Sequence, residues 1–225
     1  MFLTDKGSYE MSVTDDEVTT GPATGGVRWK RFGGMLALTG AVSAGLITLT
    51  ANGVLAANFS ISGMPFTVTA TKLYGEGFEQ FATIDNMIPN SPNEGDTGGQ
   101  MVVIVSAIDT AELTKLCQSV SLGGMFLKIT AGDAGTPVKA KTLIVDSDLI
   151  SGNANFQRIN VGQDASTLDK VTDPGTGEKI RGGEGVFAQQ ADIVEITDLR
   201  QNNYATTAAR FTLPHLRMAF TDDGC

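Results

Sequence analysis

From residue 66 onward the chain repeats one pattern. Runs of four to six residues set Thr, Val, Ile and Phe against polar neighbours at a period of two, and Gly, Asn, Asp or Pro closes each run. Phe66-Thr-Val-Thr-Ala, Met101-Val-Val-Ile-Val, Phe126-Leu-Lys-Ile-Thr, Thr142-Leu-Ile-Val, Phe156-Gln-Arg-Ile-Asn-Val, Ile193-Val-Glu-Ile and Arg210-Phe-Thr-Leu all fit. A period of two sends alternate side chains to opposite faces of an extended backbone, so these runs predict strands. Helical spacing is scarce. Thr110-Ala-Glu-Leu-Thr-Lys-Leu-Cys offers a turn or two of helix and reads equally as a strand edge. The expected fold class is all-β, or nearly so.

A loose recurrence of strand, Leu, turn and second strand runs through this region at Leu73, Leu149 and Leu199, with Leu113 as a weaker fourth. Its spacing drifts too much for a strict repeat. Two arrangements stay open, a single layered β domain and a solenoid-like stack. Residues 86–100 and 172–185 are rich in Gly and Pro and read as long, mobile surface loops. Eight phenylalanines (Phe66, Phe78, Phe81, Phe126, Phe156, Phe187, Phe211 and Phe220) supply either the core or the lining of a groove for a hydrophobic ligand.

The first part of the chain is different in kind. Residues 32–71 contain no Asp, Glu, Lys or Arg, and Arg28, Lys30 and Arg31 stand just before them. A basic cluster followed by an apolar run is an export signal, with the positive end held in the cytoplasm. Val54-Leu55-Ala56-Ala57 places small side chains where a signal peptidase cuts, after Ala56 or after Ala57. Retention is the other outcome: a membrane-crossing helix needs roughly 20 apolar residues, and this run is long enough. The expected organisation is an acidic, disordered leader over 1–27, a signal peptide or anchor helix over 28–57, and an exported β-rich domain over 58–225.

Charge excludes some partners. The whole chain carries −9, and beyond residue 56 there remain 20 acidic and 12 basic residues. An acidic domain without a basic patch is unsuited to nucleic acid or to anionic membrane surfaces. About 170 residues remain after cleavage, enough for one domain with its own core. The two cysteines, Cys117 and Cys225, both fall in the exported part. In an oxidising compartment an even count reads first as a disulfide, with two free thiols as the alternative.

No constellation for catalysis is legible. The single histidine, His215, lies in Leu213-Pro-His-Leu, and no Gly-x-Ser-x-Gly elbow or Ser-x-x-Lys pair accompanies it. Zinc would need clustered Cys and His. Asp146-Ser-Asp148 and Asp222-Asp223 read as solvated turns rather than calcium ligands. Gly175-Thr-Gly-Glu-Lys179 lacks the spacing and context of a phosphate loop. No catalytic, metal or cofactor site is assigned.

Several separated strings resemble an actinomycete family of exported proteins of unknown function, some members of which carry the label cholesterol esterase. They are Arg28-Trp-Lys-Arg-Phe, Leu116-Cys-Gln-Ser119, Leu127-Lys-Ile-Thr-Ala-Gly132, Val161-Gly-Gln-Asp-Ala-Ser-Thr-Leu-Asp-Lys170, Phe187-Ala-Gln-Gln-Ala-Asp192 and Asp198-Leu-Arg-Gln. The resemblance implies export and cysteines at both positions, which supports the pairing of Cys117 with Cys225. It supplies no catalytic residues, and the leader before Arg28 is longer than the family pattern. The expected function is therefore a non-catalytic protein of the cell surface or extracellular space. It either self-associates into an oligomer or polymer through β edges or binds a lipid or other hydrophobic ligand, with membrane attachment through the N-terminal segment if that segment is kept. A lipid or sterol ester hydrolase using His215 is the alternative.

Overall fold

The computed structural model describes residues 60–225. The expected leader, the export cluster Arg28, Lys30 and Arg31, and the cleavage positions Ala56 and Ala57 lie outside these residues. Within them the chain forms β1 (Phe66–Asn86), β2 (Gln100–Thr114), β3 (Leu116–Ser121), β4 (Phe126–Ala131), β5 (Val138–Gln157), β6 (Asn160–Asp164), β7 (Phe187–Thr212) and β8 (Arg217–Thr221). All eight join one sheet. The all-β expectation holds. The run around Thr110 is strand: β2 continues to Thr114, Lys115 turns at φ 53°, and β3 follows.

Every pairing between these strands is antiparallel, so the chain does not stack coil upon coil as a solenoid would. Instead the sheet closes. β1 pairs with β2 on one edge and with β7 on the other, and β5 joins β2 to β7. Four strands of 21, 15, 20 and 26 residues thereby form a hydrogen-bonded ring. Closure removes the free edges that open sheets leave exposed. The apolar runs cover only parts of these long strands, and polar stretches such as Ser151-Gly-Asn-Ala-Asn155 are carried along by pairing to β7.

Strands this long must bend to close. A line of register skips crosses three neighbours, at Gly77 of β1, Asp109 of β2 and Thr142 of β5. Gly77 (φ 66°) and Thr142 (φ 47°) take left-handed backbone there. A Cβ on Gly77 would lie 3.1 Å from the Cβ of Asp109, so the kink needs glycine for both φ and space. Each skip resets the alternation by one residue. The inward set therefore reads Leu73, Gly75, Phe78 on β1, Ile108, Ala111, Leu113 on β2, and Ala140, Leu143, Val145 on β5. These pack with Val194, Ile196 and Leu199 of β7 inside the ring. Three of the four recurring leucines (Leu73, Leu113 and Leu199) are in this core, whereas Leu149 is 54% exposed.

A second core lies outside the ring. Phe81, Val103, Val105, Ala107, Ile144 and Ala188 are covered by Ala165, Leu168, Val171 and Ile180 from the segment between β6 and β7. The expected mobile loop over 172–185 is thus part of a strap: Ile180 and Asp173 are buried, and Ile180 N–H donates to the Val171 carbonyl at 3.1 Å. Gly182 N–H donates to the Ala165 carbonyl at 3.0 Å, and a Cβ on Gly182 would stand 2.7 Å from the Phe81 ring.

Beyond the ring, β3, β4 and β8 extend the sheet from the N-terminal half of β1. Cys117 of β3 is bonded to Cys225. Cys225 N–H donates to Ser119 Oγ at 2.9 Å, and Arg200 donates to the Cys225 carbonyl at 2.9 Å. The sequence separation is 108 residues. Closing a loop of that size in the unfolded chain stabilises by about 4–5 kcal/mol in the chain-entropy view. Cys225→Ser is expected to lower unfolding free energy by a few kcal/mol, read as a shifted urea midpoint. An unshifted midpoint would show that the bond constrains nothing.

A neutral cavity inside the strand ring

The ring does not stay closed along its full length. Pairing between β2 and β5 ends at Ile104↔Ser147. β1 and β2 run on together to Asn86↔Gln100, while β5 follows β7 to Gln157↔Ile193. Two hydrogen-bonded walls separate, and a slot opens between them. Behind it is a cavity of about 260 Å³, walled by Phe78, Ile108, Ile150, Phe156, Val194 and Ile196 among others. The rings of Phe78 and Phe156 meet at 5.4 Å between centroids across it. On the approach, Ile84 and Val102 face each other across β1 and β2 and are 52% and 69% exposed. Alternation places them on the same face as Gln80 and Ile104, so the apolar wall continues outward from the mouth.

A polar ribbon crosses this wall. Gln189 Nε2 donates to Gln80 Oε1 at 2.6 Å, and Gln80 Nε2 donates to Ser106 Oγ at 2.9 Å. Further in, a smaller void of about 30 Å³ shares Leu73, Ser106, Ile108 and Gln201 with the larger cavity and adds Asn203, Gln118 and Thr206. Among the described residues no charged side chain lines either space. The walls are apolar with neutral hydrogen-bonding groups at a few points, which is the composition of a site for a small, largely apolar molecule.

The ionisable groups gather elsewhere, on the outer face. Glu79 is fully buried under the strap. Its Oε1 accepts from the backbone N–H of Lys170 and, at 3.1 Å, from that of Val171. Its Oε2 has no partner among the described residues. Burial pushes the carboxyl up to about 7, against the pull of those two N–H groups. Asp85 and Asp146 are buried and hydrogen-bonded to each other, and burial raises both; each also leaves one oxygen without a partner among the described residues. Sequence reasoning missed Glu79 and Asp85, and read Asp146 as part of a solvated turn, whereas it is buried within β5. The one clue at Glu79 is its place in Phe78-Glu-Gln-Phe81, where two buried aromatics stand three residues apart and break the period of two.

The residues singled out in the sequence are dispersed. His215 sits at φ 56° on an exposed turn, with Nδ1 3.3 Å from Asp133 Oδ2. Thr136 Oγ1 donates to Asp133 Oδ1 at 3.0 Å rather than to the imidazole. The N–H groups of Thr136 and Gly135, with the Thr136 hydroxyl, hold Asp133 below the usual carboxylate range. In a hydrolytic triad the imidazole stands between hydroxyl and acid; here the acid stands between the other two. Asp148 accepts from Asn202 Nδ2 at 2.8 Å and Tyr204 Oη at 3.2 Å, while Asp146 turns inward to Asp85. In the 175–179 loop, the Gly175 and Thr176 N–H groups both donate to Asp173 at 3.0 and 3.2 Å, so they are not offered to a phosphate. Of the eight phenylalanines, Phe78 and Phe81 are core, Phe156 lines the cavity, and Phe187 and Phe220 are 63% and 64% exposed.

Residues 62–225 match the profile of a family of unknown function, DUF6230. The chain belongs to that family. The match spans all eight strands, so the ring, the strap and the cavity lie inside the family's own region. No curated protein and no solved structure matches the chain.

In this DUF6230 member the raised Glu79 carries a stability consequence. The folded chain holds the proton more tightly than the unfolded chain, whose glutamate titrates near 4.5. The stabilisation is complete below that pH and is lost as pH rises through about 7. Glu79→Gln removes this contribution. Urea titrations are expected to show the variant gaining on the parent between pH 5 and pH 8; a difference that does not change with pH would contradict the assignment.

Proposed function

We propose that this chain is an exported, non-catalytic protein that holds a hydrophobic ligand inside its strand ring. The carrying observation is the cavity of about 260 Å³ behind the β2–β5 slot, with its neutral apolar wall and exposed apolar approach. A packed core closes such spaces, because voids forfeit dispersion contacts. Export is supported by Arg28, Lys30 and Arg31 ahead of the uncharged stretch 32–71 and by the bonded cysteine pair. Cleavage after Ala56 or Ala57 yields a secreted carrier; retention of the apolar segment keeps the same domain at the membrane surface.

The ester-hydrolase reading draws less support. Its only histidine is committed to Asp133 on an exposed turn, and neutral side chains line the cavity. Ester cleavage needs an activated nucleophile and donors for the developing oxyanion. The sterol-esterase label in the actinomycete relatives that the chain resembles fits better as a sign of a hydrophobic ligand than of turnover.

A fluorescent probe tests the cavity directly. N-phenyl-1-naphthylamine is expected to bind the parent with enhanced emission. Ala154→Trp, which sets an indole at the mouth, is expected to weaken binding at least about ten-fold (about 1.4 kcal/mol) with far-UV circular dichroism unchanged. Equal binding by parent and variant would place the probe elsewhere, and no binding to the parent would remove the proposal.

Self-association is a second reading with its own observation. Among the described residues β8 ends the sheet with its outer edge unpaired, and it presents Met218 and Phe220 at 59% and 64% exposure. They pair across to half-buried Ile129 and Leu127 of β4, which makes an apolar face beside a free edge. Such an edge is a template for a second chain. Sedimentation is expected to show concentration-dependent association of the parent, reduced in Phe220→Lys; a monomer at every concentration would set this reading aside.

A further inference from the structure

The cavity's inner end is specific about chemistry. Asn203, on β7, is 1% exposed, and its Oδ1 has no hydrogen-bond partner among the described residues. It lines the 30 Å³ void that shares four residues with the main cavity. Gln201, two residues earlier on the same face, is 7% exposed and lines both spaces. Ser106 stands on the β2 wall, and its Oγ already accepts from Gln80, leaving its proton to donate. The small void beside the apolar cavity thus carries an unmet acceptor, with a further amide and a hydroxyl on the wall that the two spaces share.

Resting on the ligand-binding reading above, we propose that the ligand is a neutral amphiphile with one hydroxyl, a long-chain alcohol in chemical class. Its apolar body occupies the space between Phe78, Phe156 and Ile196, and its O–H donates to Asn203 Oδ1. Three features select this class. A buried carbonyl without a donor costs free energy, so a ligand that brings a donor gains over one that does not. A carboxylate is disfavoured, because among the described residues no Lys, Arg or His lines either space to offset its desolvation. An ether of the same length has an acceptor where the wall already supplies one. Gln201 and Ser106 are positioned to meet the hydroxyl oxygen as donors, which gives the group both of its roles.

The test compares 1-decanol, decyl methyl ether and decanoate at pH 8, each displacing N-phenyl-1-naphthylamine from the full chain. The alcohol is expected to compete at least about ten-fold better than either of the others. Asn203→Leu is expected to erase the preference over the ether while the probe still binds. Gln201→Leu, on the cavity wall, is expected to reduce it, which keeps the question answerable should the Asn203 variant fail to fold. Equal competition by alcohol and ether in the parent would mean that a water molecule completes Asn203, and would overturn the hydroxyl assignment. Better competition by decanoate would overturn neutrality. Neither result touches the cavity itself; only a parent that fails to bind the probe removes the ligand-binding reading as well.

Discussion

The pairing of β1 with β7 is the interaction on which the structure depends. These strands lie more than a hundred residues apart in the chain, yet they share a register from Phe66↔Asn203 to Phe81↔Ala188. Without it the long strands would form an open, twisted sheet with one face to water. With it the Leu73, Phe78, Ile108, Val194 and Ile196 side chains face one another across an interior. Closing such a long loop is entropically costly, and the two flanking hairpin-like pairings, β1–β2 and β5–β7, lessen the cost by aligning both walls first. The cavity follows from the same geometry: β2 and β5 part at Ile104 and Ser147, because each keeps its pairing with a different neighbour.

The strap solves the problem that closure creates on the outside. The upper outer face carries Phe81, Val103, Val105 and Ile144, which would otherwise be an exposed apolar patch. The segment between β6 and β7 covers it, and side chains of the sheet tie it down. Glu79 accepts from two of its N–H groups, Gln190 exchanges hydrogen bonds with Asp169, and Asp192 pairs with Lys170 at 2.8 Å. Below the kink line the same outer face is solvated and carries ion pairs such as Lys72–Glu195 and Lys139–Glu112, whose exposed positions make them weak contributors. Buried carboxyls thus mark the covered half of the sheet, and solvent-exposed ion pairs such as Lys72–Glu195 lie on the open half.

The wing of β3, β4 and β8 divides its two faces differently. One face carries the Cys117–Cys225 bond, Lys128 and Arg217; the other carries Leu127, Ile129, Met218 and Phe220. Fixing the C-terminus by the disulfide, by the Ser119 hydroxyl and by Arg200 holds β8 against β4 as a terminal strand. Among the described residues an apolar cavity and an apolar edge therefore coexist in one sheet, at different ends of β1.

Local chemistry alone carried the strand content into view and favoured the pairing of the two cysteines, but the turns expected after Leu73, Leu149 and Leu199 fall inside β1, β5 and β7. Side-chain alternation and turn residues act over a few neighbours, and two thiols leave one intramolecular partner each. Phe78, Phe81 and Phe156 were legible, with the other five phenylalanines, as core or groove lining, but not which of the two each would be or which face it would take. That depended on the kink through Gly77, Asp109 and Thr142, where three strands slip phase together. A phase slip has no signature in any one strand, because it is set by the neighbour's register. The ring, the buried Glu79 and the unmet Asn203 carbonyl are likewise products of closure. They bring together residues far apart along the chain, and only the tertiary structure decides which of those meet.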